Sequence, residues 1–335
     1  MQLITDIGAI RSNIERIKAS RHVGRYFIFM VKGDAYNHGM ERVSIATEDI
    51  VDAFGVAYTE EGELLRNYGI TKPIYVTMPT EGYDYNSVGM IPMVGCERVL
   101  CGLERGTVID LKINSGMNRY GFSPDRINTV IRMIKSLGLV PDGISTHIAG
   151  KGSLDYQKIR YLEAVDAMEK AFGSLKKHYC ATPSLNDKEM FGGLRVGLAC
   201  YGYGMRGLRP SLTVRSYVDI VRKVGIGDKI GYGGAFLSLK KRRVGIVRGG
   251  YYDGIRRSFS GGYVMVGKQR AKIIGRVNMD SFFVDLSRVD GGEGAVTDIL
   301  CPELDAEYRA KTIGTIPYEI LTGFRADRAE RLFIE

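Results

Sequence analysis

The chain has 335 residues, of which 44% are hydrophobic and 25% are charged, with a formal net charge of +9 at pH 7. These proportions are those of an ordinary globular protein and exclude disordered and fibrous classes. The apolar runs are too short to cross a membrane, and Asp6 interrupts the N-terminus, so we expect neither a membrane span nor a signal peptide.

The five cysteines are odd in number and include no Cys-x-x-Cys pair. This usage predicts a reducing, cytoplasmic compartment and argues against a disulfide framework and against a metal site. The run Lys240–Arg243 is strongly basic, but no nucleic-acid-binding signature accompanies it, so we expect a solvated strand end or turn and no nucleic-acid partner. The excess positive charge also suits a site that collects small anions.

Up to about residue 200 the sequence alternates short apolar runs with helix-like segments. The predicted strands are Tyr26–Val31, Ala53–Ala57, Ile74–Thr77, Met90–Val94, Val108–Ile113, Gly143–His147, His178–Ala181 and Leu194–Cys200. Eight strands alternating with helices predict a (β/α)8 barrel, although a doubly wound open sheet remains an alternative.

Three segments between the strands predict helices: Glu60–Asn67, Pro124–Leu137 and Leu154–Phe172. The second has its apolar residues on one face, with Ser123 as a candidate N-cap and Gly138 as a candidate end. Ser153 is a candidate cap for the third.

After about residue 215 the pattern changes. Glycines cluster and the apolar runs become short and strand-like, as in Val244–Val247, Tyr263–Val266 and Phe282–Leu286. We therefore predict two domains, a barrel over residues 1–215 and a mostly β domain over residues 216–335.

Lys32 stands at the end of the apolar, aromatic-rich run Tyr26–Met30, which is typical of a strand buried on both faces. A lysine amine at the rim of a buried layer loses solvation, and nearby cations lower its pKa further, which makes it a usable nucleophile or base. Taken alone, such a lysine is more often an ordinary surface residue.

In a parallel barrel the functional residues follow the strands, on the C-terminal face. That face is predicted to carry Lys32 and Tyr36, the segment from Lys112 to Arg119, His147, Thr182, Arg195 and Gly197. Several cations, a histidine and a glycine-containing turn on one face would suit an anionic cofactor.

Seven segments of the chain resemble the motifs of a known protein family. They are Val31–Gly39, Lys112–Phe122, Ser145–Ala149, Arg195–Gly202, Gly231–Gly233, Gly250–Gly254 and Gly275–Asp280. In this order they resemble the motifs of bacterial alanine racemases, over nearly the whole chain. The resemblance implies a barrel followed by a β domain, pyridoxal 5'-phosphate as cofactor, and a homodimer with shared active sites.

The resemblance also implies the catalytic roles. Lys32 would attach the cofactor and act as the base on one face of the substrate α-carbon. Tyr232, supplied by the partner subunit in this family, would be the base on the other face. His147 would assist that tyrosine. Arg195 would face the pyridine nitrogen, and because arginine only donates hydrogen bonds, that nitrogen would stay unprotonated.

Further roles follow from the same resemblance. Arg119 and Met279 would contact the substrate carboxylate, Arg119 also facing the cofactor phenolate oxygen, and Lys112 matches a lysine that is often carbamylated. The groups implied for the phosphate are the side chains of Tyr36 and Thr182 and the backbone N–H groups of Gly197 and Leu198. The residues implied for the entrance are Tyr251, Arg257 and Arg276.

Two departures from the family pattern stand out. Ala181 replaces an asparagine next to Thr182, which removes one polar contact. Near the C-terminus the family's pocket tyrosine falls on Asp327, in a tail whose register is open by one residue. A smaller, more polar pocket predicts that serine is accepted beside or instead of alanine, as in the serine racemases of vancomycin resistance.

The interpretation we favour is an alanine racemase that supplies D-amino acids for peptidoglycan, with a serine or serine/alanine racemase as the alternative. A membrane-anchored parent protein is compatible with the latter. A decarboxylase of the related barrel class is disfavoured by Arg195, since those enzymes protonate the pyridine nitrogen. A non-catalytic cofactor carrier would need neither the β domain nor Tyr232.

Overall fold

The structure is a computed structural model that describes residues 1–20, 25–150, 152, 154–180, 185 and 192–335. It divides into two compact units. The barrel unit comprises Arg11–Ala35 and Met40–Leu208, and the β unit comprises Met1–Ile10, Tyr36–Gly39 and Arg209–Glu335.

The chain opens with strand β1 (Gln2–Asp6) and helix α1 (Ile7–Ala19). Eight parallel strands then close the barrel. They are β2 (Phe27–Met30), β3 (Ala53–Val56), β4 (Ile74–Val76), β5 (Met90–Val94), β6 (Val108–Lys112), β7 (Val140–Ser145), β8 (Lys176–Cys180) and β9 (Gly193–Val196). The predicted (β/α)8 barrel is confirmed, and the open-sheet alternative is excluded, because β2 pairs with both β3 and β9.

All residues of β2, β3, β4 and β9 are buried. Such strands are sealed on one face by the barrel interior and on the other by helices, which explains why they appear in the sequence as unbroken apolar runs. The predicted strand Leu194–Cys200 is too long, since β9 ends at Val196 and Gly197–Cys200 forms a turn.

The helices described in this part of the chain are α2 (Lys32–Asn37), α3 (Met40–Thr47), α4 (Thr59–Asn67), α5 (Glu97–Cys101), α6 (Ile127–Leu137) and α7 (Leu154–Phe172). Gly138 ends α6 in the left-handed conformation, with φ 66°, as predicted. Ser123 is not a side-chain cap, because its hydroxyl donates to Asp125 at 2.9 Å and a short 3-10 turn precedes the helix. The proposed cap Ser153 lies outside the described residues. Within the described part of the chain, every helix is too short or too polar to cross a membrane.

The β unit contains an eight-stranded sheet. Its strands beyond β1 are β10 (Leu212–Val224), β13 (Arg242–Arg248), β14 (Tyr263–Val266), β15 (Gln269–Ile274), β16 (Ser281–Asp285), β17 (Val296–Leu300) and β18 (Glu330–Ile334). Their order in the sheet is β13-β16-β15-β14-β17-β10-β1-β18, and β13 also pairs with β10. A separate hairpin is formed by β11 (Lys229–Ile230) and β12 (Phe236–Leu237), and two helices follow the sheet, α8 (Ala306–Ile313) and α9 (Pro317–Leu321).

Two features of this unit differ from the sequence analysis. The expected boundary near residue 215 falls inside β10, which begins at Leu212. The first strand, β1, belongs to this sheet and not to the barrel, because it pairs with β10 and β18.

Candidate active site

Lys32 lies at the mouth end of β2, separated from the strand by Val31 alone. The backbone beneath it is held on two sides. The Val31 N–H donates to Gly55 O at 2.8 Å, and the buried Tyr201 hydroxyl donates to Met30 O at 3.0 Å. The root of the lysine is therefore fixed by the barrel itself.

The chain leaves this point through a left-handed turn. From Gly33 to Asn37 every φ lies between 53° and 69°. Left-handed helix costs roughly 1–2 kcal/mol for each residue with a Cβ, although Asp and Asn tolerate it better than most. Asp34 offsets part of that cost, because its Oδ1 accepts the Met40 N–H at 2.7 Å. The sequence analysis did not foresee this turn.

The electrostatic environment of Lys32 favours a neutral amine. Burial lowers the pKa of Lys32, and the Arg119 charge lowers it further. The Glu61 carboxylate acts in the opposite direction, and Arg195 adds a smaller lowering effect. The sequence predicted that the pKa of Lys32 is lowered, and the structure gives the same direction.

Two further titratable groups are buried at the same end of the barrel. Burial lowers the pKa of Lys112, the last residue of β6, to about 8, with the charges of Arg195 and Arg119 as the next causes. Burial lowers the pKa of His147, two residues after β7, to about 3, assisted by the same two arginines and then by Lys112 and Lys32. Arg119 and Arg195 thus act on Lys32, Lys112 and His147 alike, and an anionic ligand at this mouth of the barrel would offset their charge.

Arg195 is held by backbone carbonyl groups. Its Nη1 donates to His178 O at 2.7 Å and its Nη2 donates to Thr146 O at 2.5 Å, while the side chain is only 7% exposed. Beneath it, His178 Nε2 lies 3.1 Å from Asp110 Oδ2, and the Ser145 hydroxyl donates to the other oxygen of Asp110. The guanidinium is thereby fixed in one orientation before any ligand binds.

Arg119 is carried by a loop that folds back on β6. The Phe122 N–H donates to Lys112 O at 2.9 Å, and the Asn114 N–H donates to Phe122 O at 2.9 Å. Within the loop, Asn114 Oδ1 accepts the Asn118 N–H at 2.9 Å. These bonds return the exposed Arg119 to the strand end that carries Lys112.

The loop that carries His147 is clamped by Gln157 of α7. The fully buried amide of Gln157 donates to His147 O and to the Ser115 hydroxyl, both at 3.1 Å, and its oxygen accepts the Ala149 N–H at 2.8 Å. Ser115 in turn lies 2.7 Å from the Thr146 hydroxyl. One side chain thus fixes the backbone around the histidine.

The turn after β9 contains the backbone groups that are predicted to bind phosphate. Within the turn, the Cys200 N–H donates to Gly197 O at 2.8 Å and the Tyr201 N–H donates to Leu198 O at 3.2 Å. The first N–H groups of such a turn have no partner within it, which makes them donors for an anion. Thr182, the side chain predicted to assist them, lies outside the described residues.

Comparison with known proteins agrees with this geometry. The family model for the alanine racemase N-terminal domain matches residues 5–204, and the model for the alanine racemase C-terminal domain matches residues 211–333. The chain belongs to the alanine racemase family. It is therefore an isomerase of the racemase class, which excludes the decarboxylase and carrier alternatives.

Relatives and solved structures cover nearly the whole chain. The alanine racemase of Thermodesulfovibrio yellowstonii is 31% identical over 360 residues, covering 100% of this chain and 98% of that protein. The alanine racemase of Nitrosomonas europaea is 31% identical over 349 residues, covering 93% of each. The crystal structure of alanine racemase from D-cycloserine-producing Streptomyces lavendulae matches with a TM-score of 0.91 at 26% identity, covering 99% of this chain and 96% of that one.

The family residues predicted in the β unit are mostly exposed in the single chain. Tyr232 is 73% exposed, in a 3-10 turn bounded by glycines, while Met279 is 50% exposed and Tyr251 is 44% exposed. Arg257 begins another 3-10 turn, and Arg276 lies in the segment between β15 and β16. The structure describes these positions without testing the roles that were predicted for them.

Tyr36 and Asp327 have different surroundings within the β unit. Tyr36 is 6% exposed, and its ring centroid lies 5.8 Å from that of Tyr318. The Asp327 side chain is 62% exposed and forms a two-pronged pair with Arg325, at 2.8 Å and 2.7 Å. Its role in the substrate pocket stays a prediction.

Four residues that contact predicted site residues or their neighbours were not found by sequence reasoning: Glu61, Asp110, Gln157 and Tyr318. Asp110 carried a signal, since an aspartate within an apolar strand must be paired. Gln157 carried one as well, since it lies on the apolar face of α7. Glu61 and Tyr318 had no signal beyond the ordinary polarity of a helix.

Proposed function

We propose that this chain is a pyridoxal 5'-phosphate-dependent racemase that interconverts L- and D-alanine by a two-base mechanism. The bases are Lys32 and Tyr232 of the partner subunit. The observation that carries the proposal is the grouping of a lysine of lowered pKa with Arg119, Arg195 and His147 at the mouth of a barrel of this family. The substrate is inferred from the relatives, which are alanine racemases.

The residues of the barrel mouth fit the cofactor. A phosphate ester with a phenolate oxygen is an anion, and the charges of Arg119 and Arg195, which after burial lower the pKa of Lys32, Lys112 and His147, would help to receive one. Lys32 would attach the group, and Arg119 would face its phenolate oxygen. When bound, the cofactor supplies the electron-withdrawing ring that makes the α-proton of the substrate acidic.

The phosphate would be held by hydroxyl and backbone donors in place of a charged side chain. These are the side chains of Tyr36 and Thr182 and the N–H groups of Gly197 and Leu198. A turn of this kind binds an anion through its aligned N–H dipoles. The charged residues are thereby left for the reacting end of the site.

Arg195 has one task that its contacts support. Arginine can only donate hydrogen bonds, so a ring nitrogen that it faces must accept and stay unprotonated. Its carbonyl contacts at His178 and Thr146 keep the guanidinium in place for that purpose. A less electron-poor ring favours return of the proton over decarboxylation or transamination.

The two bases are prepared differently. The lowered pKa of Lys32 makes its free amine available to remove a proton from one face of the α-carbon. Tyr232 of the partner subunit would deliver a proton to the opposite face. His147, whose pKa is lowered to about 3, is neutral at physiological pH and can accept a hydrogen bond from the hydroxyl of that tyrosine.

A homodimer is part of the proposal. Tyr232 and Met279 are 73% and 50% exposed in the single chain, which is unusual for side chains that must work shielded from water. Covering them by a second copy would complete each site, with the Met279 backbone on the substrate carboxylate and Tyr251, Arg257 and Arg276 at the entrance. The proposed setting is the cytoplasm, where the enzyme would supply D-alanine for peptidoglycan.

Two measurements test the proposal. The purified protein should show the visible absorbance band of a lysine-bound pyridoxal group, and Lys32→Ala should abolish it while Tyr232→Phe retains it. In deuterated water, L- and D-alanine should each gain deuterium at the α-carbon as they interconvert. An enzyme that shows the band but exchanges no α-proton would contradict racemisation.

A further inference from the structure

Glu61 makes an unusual set of contacts near Lys32. This half-buried residue lies in the first turn of α4. Its Oε1 accepts the Gly33 N–H at 2.7 Å, and its Oε2 accepts the Ala57 N–H at 2.7 Å and the Tyr58 N–H at 3.3 Å. Each carboxylate oxygen therefore serves a different segment of backbone.

The two segments follow neighbouring strands of the barrel. Gly33 comes after β2 and is the residue next to Lys32, while Ala57 comes directly after β3, and β2 and β3 are paired. A carboxylate that accepts backbone N–H groups forms charge-assisted bonds, and one in the first turn of a helix is stabilised by the helix dipole. Glu61 thus joins the start of the left-handed turn to the start of α4.

The charge of Glu61 also matters at Lys32. The amine faces positive groups from three other parts of the barrel: Arg119 in the loop after β6, Arg195 on β9, and Lys112 at the end of β6. His147, after β7, is the neutral member of the group at physiological pH. Glu61 is the carboxylate that opposes these charges at Lys32.

We propose that Glu61 is a positioning residue for Lys32, which fixes the backbone at Gly33 and offsets the positive charge around the amine. Lys32 matters to catalysis only if the proposed function is correct, and to that extent this inference rests on it. The experiments that test the inference do not depend on the proposed function. Without the Glu61 charge the amine would lose its proton more readily, and without the bonds the turn would loosen at its first residue. Both effects can be measured in the full-length chain without any turnover.

The first test measures the charge. Lys32 in the cofactor-free protein is labelled with an amine-selective reagent between pH 7 and 10, and its modified fraction is read by peptide mass spectrometry. In Glu61→Gln the titration of Lys32 should move to lower pH. A shift of about half to one pKa unit corresponds to roughly three- to tenfold more labelling at a pH below the midpoint. Glu60→Gln, an exposed neighbour on the same helix, is the matched control and should titrate like the wild type.

The second test measures the backbone bonds. Hydrogen exchange should be about tenfold or more faster at the Gly33 or Ala57 amide in Glu61→Gln, because an amide side chain can no longer accept from both. Glu61→Asp keeps the charge on a shorter side chain, so it should leave the Lys32 titration near that of the wild type while exchange accelerates. If Glu61→Gln does not fold, both the Lys32 titration and the amide exchange can still be measured in Glu61→Asp.

The outcomes are separable. Equal labelling curves for Glu61→Gln and Glu60→Gln would overturn the electrostatic half of the proposal, and unchanged exchange at both amides would overturn the positioning half. Because neither readout needs substrate, a wild-type protein that lacks racemase activity but shows both effects would refute the proposed function and leave the role of Glu61 standing.

Discussion

The His178 imidazole and the Asp110 carboxylate lie 3.1 Å apart inside the barrel, where both side chains are fully buried. Arg195 Nη1 lies 3.5 Å from His178 Nδ1, and because arginine only donates, that ring nitrogen carries the lone pair. The ring proton is then on Nε2, beside the carboxylate. Asp110 Oδ2 lies off the line of the Nε2–H bond, so the ring and the carboxylate attract each other mainly by electrostatics and not through a hydrogen bond. A negative charge is thereby placed behind the arginine proposed to face the cofactor.

Replacing Asp110 by asparagine should destabilise the barrel strongly. The Ser145 hydroxyl and the His178 ring stay buried after the change, and each buried polar group left without its partner typically costs about 1–3 kcal/mol. The matched control is Asp142→Asn, whose partly exposed carboxylate pairs with Lys176 at 3.0 Å and should cost about 1 kcal/mol or less. Urea unfolding followed by circular dichroism measures both. Similar midpoints for the two variants would show that the buried cluster adds no special stability.

Gly143 leaves the space that this cluster occupies. A Cβ at Gly143 would lie 2.5 Å from Asp110 Oδ2 and 3.1 Å from His178 Nε2. Gly143→Ala should therefore lower the free energy of unfolding by about 1–3 kcal/mol through overpacking. Gly150→Ala, where an added Cβ meets nothing within 4 Å, is the control. A Gly143→Ala protein as stable as the control would mean that the pair can move apart without loss.

The pKa of His147 predicts a dependence of stability on pH. Its folded value of about 3 lies below the unfolded value of 6.5, so between these values the unfolded state binds the extra proton. Stability should then fall as pH decreases through this window, by up to about 1.4 kcal/mol per pH unit from this group. His147→Asn removes the contribution. The difference in unfolding free energy between wild type and variant, measured in the cofactor-free protein, should shrink or reverse below pH 6.5, and a constant difference would contradict the burial of a neutral ring.

Lys112 should form a carbamate. The reaction needs a neutral amine, and a pKa of about 8 leaves roughly a tenth of the amine neutral at pH 7, far more than for an ordinary lysine. The product is an anion that Arg195 and Arg119 would stabilise. Protein equilibrated with carbon-13 bicarbonate should show one carbamate resonance that is absent in Lys112→Gln and retained when the exposed Lys170 is changed to Gln. A spectrum identical to that of Lys112→Gln would show that the site stays an amine.

The barrel was predictable because its signals are local. Strands β2, β3, β4 and β9 bury both faces and so appear as short apolar runs, and the turn that ends α6 needs a glycine at Gly138. The residues at the ends of those strands could then be predicted to share one mouth of the barrel, among them Lys32, His147 and Arg195. Position along the chain was sufficient, because parallel strands bring their ends to one face.

The remaining features depend on contacts that no local pattern encodes. β1 has a half-buried alternating pattern that fits any amphipathic strand, and its partner β18 lies at the other end of the chain. The left-handed turn after Lys32 opposes the usual preference of non-glycine residues. Glu61 is one of three glutamates in α4, and only the fold shows which of them reaches the neighbouring loop.

Asp327 bears on the choice between alanine and serine. Its carboxylate is paired with Arg325, which holds its pKa below the ordinary value, and the side chain is 62% exposed. Tyr318, by contrast, packs its ring against Tyr36, the tyrosine proposed to contact the phosphate. We therefore expect Asp327→Tyr to leave the ratio of kcat/KM for L-serine to that for L-alanine within about twofold, which is under 0.5 kcal/mol in transition-state binding. Asp298→Asn, which breaks another Arg–Asp pair of the same unit, controls for loss of an ion pair alone. A ratio that falls tenfold in Asp327→Tyr but not in the control would instead place the aspartate in the substrate pocket and favour serine as a natural substrate.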